Sequence, residues 1–214
     1  YQSFNIKEIE VFIDNLNSKT NSAQYTDSLK FNNITLFSKG KLKYSPQAIT
    51  SGIAIKKNQP YSDLDRTLTY RYFTNLKNFK YPSINYSLIP KIDNQLKASI
   101  FLTPRERFSL GFDLDFSHSN IQDFGIGLGG GLGIRNVFKG AESLELSIKN
   151  TLGASRDIAQ SGDQFFNLFE LGADLKLSFP RLVFPFLKNT WTSPEMNPVT
   201  QMILGTSIQE NIGL

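Results

Sequence analysis

Between Phe108 and Phe116 the chain sets Phe108, Leu110, Phe112, Leu114 and Phe116 at every second position, with Ser109, Gly111, Asp113 and Asp115 among the residues between them. A period of two belongs to a β-strand with one greasy and one wet face, and about nine residues is the length a tilted membrane strand needs. The pattern then recurs. Ile126, Leu128, Leu132 and Ile134 alternate with Gly127, Gly129, Gly131 and Gly133. Leu144, Leu146, Ile148 and Leu152 alternate with Glu145, Ser147, Lys149 and Thr151. Phe169, Leu171, Ala173, Leu175, Leu177 and Phe179 alternate with Glu170, Gly172, Asp174, Lys176 and Ser178. Met202 to Ile208 begins a fifth such segment, after an irregular connection from Pro180 to Pro198.

Ahead of Pro104 the periods are mixed. Ile9, Val11 and Ile13 read as a half-buried strand, Asn15 to Asn33 as a long polar loop, and Ile34 to Phe37 as a short strand. Ser45-Pro46 puts a capping side chain before a proline at the first helical position, with Ala48, Ile49 and Ile53 as the apolar face of a short helix. Ser62 with Asp65 resembles a capping box opening a second helix that carries Leu64, Leu68, Tyr72, Phe73 and Leu76. Ile84, Tyr86 and Leu88, then Leu96, Ala98, Ile100 and Leu102, form the arms of a hairpin around a turn at Lys91 to Asn94. The order strand, helix, helix, strand, strand predicts an α+β module over 1–104, its two helices covering one face of a small mixed sheet. Residues 105–214 then form an all-β antiparallel part.

A soluble sandwich also alternates, so the second half calls for a decision. Sandwich cores mix side-chain sizes to interdigitate with a facing sheet. Here one face is almost uniformly Phe, Leu and Ile, and the other carries glycine and charges of both signs. That favours lipid against Phe108, Leu110, Phe112, Leu114, Phe116, Leu144, Leu146, Ile148, Leu171, Leu175 and Leu177. It places Ser109, Gly111, Asp113, Asp115, Gly127, Gly129, Glu145, Lys149, Glu170, Asp174 and Lys176 toward a polar lumen. About five strands cannot close in a membrane, where each unsatisfied edge group costs several kcal/mol. The rest of the barrel is therefore expected beyond Leu214 or on another chain.

Composition narrows the partners. The formal charge of +4 is spread among acidic residues without a basic stripe, which argues against nucleic acid. There are no cysteines, hence no disulfides and no cysteine metal sites. No apolar run reaches the roughly 18 to 20 residues of a membrane helix.

Several candidate constellations dissolve on inspection. Gly125 to Gly130 matches the letters of a dinucleotide fingerprint, but the run continues at strand period into Leu132 and Ile134 instead of opening a helix. Asp113 and Asp115 share a strand face about 7 Å apart, a spacing some hydrolytic carboxylate pairs use. With Arg135, Lys149 and Lys176 nearby in pattern, a charge-balanced wall is the simpler reading. His118, the only histidine, falls at a strand end as a turn residue. Neither an enzyme nor a cofactor is expected. Trp191, with Phe179, Phe184 and Phe186, suggests an aromatic girdle at a membrane surface, packing under a loop being the alternative.

Further stretches add a resemblance. Lys43-Tyr44-Ser45-Pro46, Arg66-Thr67-Leu68-Thr69, Ala98-Ser99-Ile100-Phe101-Leu102-Thr103-Pro104, Arg135-Asn136-Val137-Phe138-Lys139-Gly140-Ala141-Glu142 and Phe179-Pro180-Arg181, in this order, make nearly the whole chain resemble the BamA/TamA superfamily of outer-membrane assembly proteins. The branch it resembles most is the TamA-like lipoprotein TamL. The resemblance implies a last POTRA domain (β-α-α-β-β) in the periplasm, followed by the first strands of a transmembrane β-barrel in a bacterial outer membrane. The family's lumen-inserted loop, closing strand and lipidated cysteine would lie outside these residues. It also implies a factor that assembles, inserts or translocates envelope proteins, with outer-membrane lipids, unfolded clients and other envelope subunits as partners. Clients would add as strands, first along Ile84, Tyr86 and Leu88 and then at the barrel seam. The alternatives are a secretion or diffusion channel and a soluble lipocalin-like ligand binder.

Overall fold

In the computed structural model, which describes residues 3–13, 25–90, 93–118, 124–154, 166, 168–183 and 196–211, the central strand of the first sheet is β1 (Asn5–Ile13). It pairs in parallel with β3 (Ile34–Ser38) on one side and β5 (Gln95–Pro104) on the other. Antiparallel edge strands β2 (Asp27–Phe31) and β4 (Phe79–Leu88) complete the order β2-β3-β1-β5-β4. The short helix α1 (Pro46–Thr50) and the longer α2 (Asp63–Asn75) begin where the capping residues predicted. Ser45 Oγ accepts from Ala48 N–H at 3.2 Å and Ser62 Oγ from Asp65 N–H at 3.3 Å, each satisfying one orphan donor of a helix end.

Ile49, Tyr72, Phe73 and Leu76 meet Ile9, Val11, Ile13, Leu36, Ile100 and Leu102 in one buried core. Leu64, read as part of the apolar helix face, is exposed instead; it lies in the first turn of α2. Two bulges reconcile the pattern with this core. Ile6 and Ile9 are both buried although three residues apart, and the register of β1 shifts between Ile6 and Glu8. Phe79 and Ile84, five apart, are both buried, and β4 shifts between Lys80 and Ser83. An extra residue restores the inward face in each case. Pro82 is tolerated there because β4 is an edge strand.

Strand β2 corrects the reading of Asn15 to Asn33 as loop throughout. Asn32 and Asn33, at φ 47° and 64°, make the tight turn from β2 to β3. Both central residues of a type I′ hairpin turn require positive φ, and asparagine tolerates it. On the sheet face away from the main core, Phe12 stacks on Phe37 and on Phe101, each at 5.0 Å.

The second sheet is an antiparallel meander of β6 (Phe108–Ser117), β7 (Phe124–Arg135), β8 (Ser143–Ala154), β9 (Leu168–Phe179) and β10 (Thr200–Asn211), in the order β10-β9-β8-β7-β6. It is open, with β6 and β10 at its edges. Compactness divides the chain into two units whose bounds interleave. The first holds Tyr1–Glu106 together with the connections Asn136–Glu142 and Phe179–Thr200; the second holds the remaining strands.

Candidate functional site

Residues directly opposite one another in a sheet share a face, so the register of the second sheet can be followed as rows. One row runs Phe112, Gly130, Ile148, Ala173; the next runs Asp113, Gly129, Lys149, Gly172. The alternation holds along the sheet. Phe108, Ile134, Leu144 and Leu177 make an apolar row, followed by Ser109, Gly133, Glu145 and Lys176. Leu110, Leu132, Leu146 and Leu175 make another, followed by Gly111, Gly131, Ser147 and Asp174. Leu114, Leu128, Asn150 and Leu171 make a further row, and Asp115, Gly127, Thr151 and Glu170 the next. From β6 to β9 the register thus gathers the alternating apolar residues into rows separate from the glycines and charges, with Asn150 as a polar member of an apolar row.

Among the described residues much of the apolar face is uncovered. Phe112 is 80% exposed and Leu110 68%, and Phe108, Leu114, Phe116, Leu128 and Ile148 are exposed as well. In the first unit, by contrast, Phe73, Phe79 and Ile100 are almost wholly buried. Single exposed apolar residues are ordinary, but a continuous face of them marks a surface meant for an apolar partner.

Two ion pairs form on the polar face. Lys149 Nζ lies 2.8 Å from Asp115 Oδ2, and Lys176 Nζ 3.7 Å from Glu145 Oε2. Asp115 of the possible hydrolytic pair is therefore held by a lysine. The β7 glycines lie beneath these groups: a Cβ at Gly127 would come 3.3 Å from Asp115 Cβ, and one at Gly129 3.1 Å from Asp113 Oδ2. Ser147, Lys149, Thr151, Glu170, Asp174 and Gly205 line a hollow of about 470 Å³ on this side. Gly125 to Gly130 lies wholly within β7, so the dinucleotide letters form no strand-to-helix turn. His118 follows the last residue of β6. Of the girdle residues, Phe179 ends β9, whereas Phe184, Phe186 and Trp191 lie outside the described residues.

Strand β4, which carries Ile84, Tyr86 and Leu88, is an edge of the first sheet. Its three residues are not equivalent. Ile84 belongs to the core, Tyr86 is half-buried with its ring edge-on to Tyr61 at 4.9 Å, and Leu88 is 63% exposed. Burial, then neighbouring Tyr61, pushes the Tyr86 phenol up to about 12, against the pull of Arg66. Beside the strand, Arg66, Thr67, Tyr70, Pro82, Ser83 and Asn85 border a groove of about 350 Å³.

Sequence reasoning missed a buried polar cluster in the first unit. Tyr72 donates to the Ala48 carbonyl at 2.5 Å and lies 3.1 Å from Ser51 Oγ. Burial raises its pKa, while the hydrogen bond with Ser51 and the nearby Arg181 lower it. Next to it, Gln47, Ser51, Asn75, Arg181, Pro198 and Val199 help line a cavity of about 210 Å³. The carboxylate of Glu142 is buried close by. The one signal of it in the sequence was the compact Asn136-to-Glu142 connection.

No family model matches the chain, and no curated protein matches it. Among solved structures it is similar to the crystal structure of BamA from Haemophilus ducreyi lacking POTRA domains 1-3, at 12% identity and a TM-score of 0.34, over 88% of this chain and 42% of that one. It is also similar to CdiB from Acinetobacter baumannii, at 11% identity and a TM-score of 0.36, over 100% of this chain and 56% of that one. The chain spans about half the length of these structures.

Proposed function

We propose that the chain is part of an outer-membrane assembly factor of the BamA/TamA type, nearest the TamL branch, in which a periplasmic POTRA module leads into the first strands of a transmembrane barrel. The observation that supports this most is the row structure of the second sheet. Rows made mainly of Phe, Leu and Ile, with the Leu110, Leu132, Leu146 and Leu175 row exposed throughout, alternate with rows of glycine, polar and charged residues that include two ion pairs. Lipid outside and a polar lumen inside satisfy both faces together. A sandwich would need a second apolar layer over Phe112 and Leu110, and none lies there among the described residues.

The work proposed is strand addition without nucleotide or cofactor. An unfolded envelope protein pairs first with the β4 edge at Ser83 to Leu88 and then with the outer edge of β6, whose ladder donors and acceptors face no neighbour in this sheet. In a complete barrel that β6 edge pairs with the closing strand, and a weak seam would let a client enter by exchange. The test is depletion of the whole protein from its cell. Loss of many barrel proteins from the outer membrane is the expected result. Retention of those proteins with loss of a single exported substrate would favour the channel reading. Recovery of the protein in the soluble fraction without detergent would end both.

A further inference from the structure

A buried carboxylate needs partners, and Glu142, 1% exposed, has gathered them from separated parts of the chain. Its Oε2 accepts from the N–H of Gly140 at 2.9 Å and of Phe138 at 3.2 Å, and its Oε1 from Arg181 Nη2 at 3.3 Å. The connection from β7 to β8 therefore wraps its own acidic side chain. A Cβ at Gly140 would fall on Glu142 Oε1, so a side chain there would have to displace the carboxylate. Lys139 and Ala141, at φ 66° and 63°, adopt the left-handed region without being glycine. Such backbone persists only where its surroundings over-determine it.

The surroundings here are the first unit. Ser45 N–H donates to the Lys139 carbonyl at 2.6 Å, Asn136 Nδ2 to the Lys43 carbonyl at 2.9 Å, and the buried Asn78 Nδ2 to the Ala141 carbonyl at 2.8 Å. Ala141 itself joins the core. Arg181 is held in turn, since Thr200 Oγ1 donates to its carbonyl at 3.0 Å and accepts from Val183 N–H at 2.9 Å. One carboxylate thus ties the β7–β8 connection to the chain leaving β9, at the point where Thr200 begins β10.

We propose that Glu142 and Arg181 are positioning residues forming a clasp that seats the two connections in the first unit. Arg181 is 48% exposed, so this arm of the clasp is accessible and can be released without unfolding the core. Closed, the clasp holds the Asn136–Glu142 connection to the chain at Arg181 within the first unit. Open, it leaves the Asn136–Glu142 connection free to exchange with solvent.

Amide hydrogen exchange on the full chain in detergent micelles tests this, using Arg181→Met, Glu142→Gln and Arg181→Lys. Arg181→Met should raise exchange at Phe138 and Gly140 by about tenfold, and at Ser45 by less, while the interior of β1 and β3 stays protected. Glu142→Gln should do the same, because an amide cannot accept from all three donors at once. Arg181→Lys should restore part of the protection, which a side chain acting only by bulk would not do. Unchanged exchange at Phe138 and Gly140 in Arg181→Met overturns the proposal, leaving Asn78 and Ser45 to hold the turn. Uniform loss of protection through the first sheet also overturns it, since Glu142 would then be a general stability residue rather than a local clasp. If Glu142→Gln fails to fold, Arg181→Met and Arg181→Lys decide the matter alone.

Discussion

Lys149 Nζ reaches Asp115 Oδ2 at 2.8 Å although β8 and β6 are not neighbours; β7 lies between them. Two strand spacings amount to about 9 to 10 Å. A lysine spans this only if nothing rises between, and Gly127 and Gly129 are what lies there. The glycines thus have a contact reason on the polar face that a sequence fingerprint does not express.

Filling that trough should separate the pair. Gly127→Leu is expected to lower the stability of the sheet by about 1 to 3 kcal/mol through overpacking against Asp115 and Lys149. Gly131→Leu, where a Cβ would meet only the Leu146 carbonyl at 3.8 Å, should cost distinctly less. Refolding titrations in lipid vesicles give both values, and a ranking in the opposite order would contradict the trough.

The assignment of the apolar face has its own test. Phe112→Arg places a charge in mid-strand on that face and should cost about 2 to 4 kcal/mol in lipid, whereas Ser109→Arg on the polar face should cost far less. Equal costs would remove lipid from the face of β6.

Alkaline pH should weaken the first unit. The phenols of Tyr72 and Tyr86 are raised in the fold, so above pH about 10 the unfolded chain loses protons that the native one retains. Stability is fully present below that pH and falls as pH climbs toward the folded-state values. Absorbance at about 295 nm should show two tyrosines titrating late. Tyr72→Phe should flatten part of the pH dependence while costing about 1 kcal/mol at neutral pH for the lost hydrogen bond to Ala48. Unchanged alkaline denaturation in Tyr72→Phe would mean that its burial contributes nothing to the effect.

Two glycines should resist alanine for different reasons. At Gly52 a Cβ would fall within the ring of Tyr72, so Gly52→Ala must displace that ring and is expected to cost about 1 to 3 kcal/mol or more. At Gly40 the space is open but φ is +87°, so Gly40→Ala should cost about 1 to 2 kcal/mol through backbone strain alone. Urea unfolding followed by near-ultraviolet circular dichroism should show the aromatic signal changing in the native Gly52→Ala protein and not in Gly40→Ala.

Strands β6 to β9 and both helix starts were readable residue by residue because their causes are local. A period of two records which side of a strand is wet, and Ser45 and Ser62 cap helices through bonds made three residues away. Strand β2 was not readable. All but its last residue is exposed, so no alternation was imposed on it, and only pairing with β3 makes it a strand.

The amino-acid sequence by itself therefore determined the two-faced sheet, the capped helices and the face to which each alternating residue belongs, since these depend on neighbours within a few positions. Tertiary structure alone decided that Ile6 turns inward through a bulge, that Lys149 bridges two strands, and that an acidic turn residue is buried. A carboxylate in a turn is ordinarily solvated. Glu142 is not, because an arginine 39 residues further on and the backbone amides of its own turn take the place of water, and that arrangement exists only once the chain has folded.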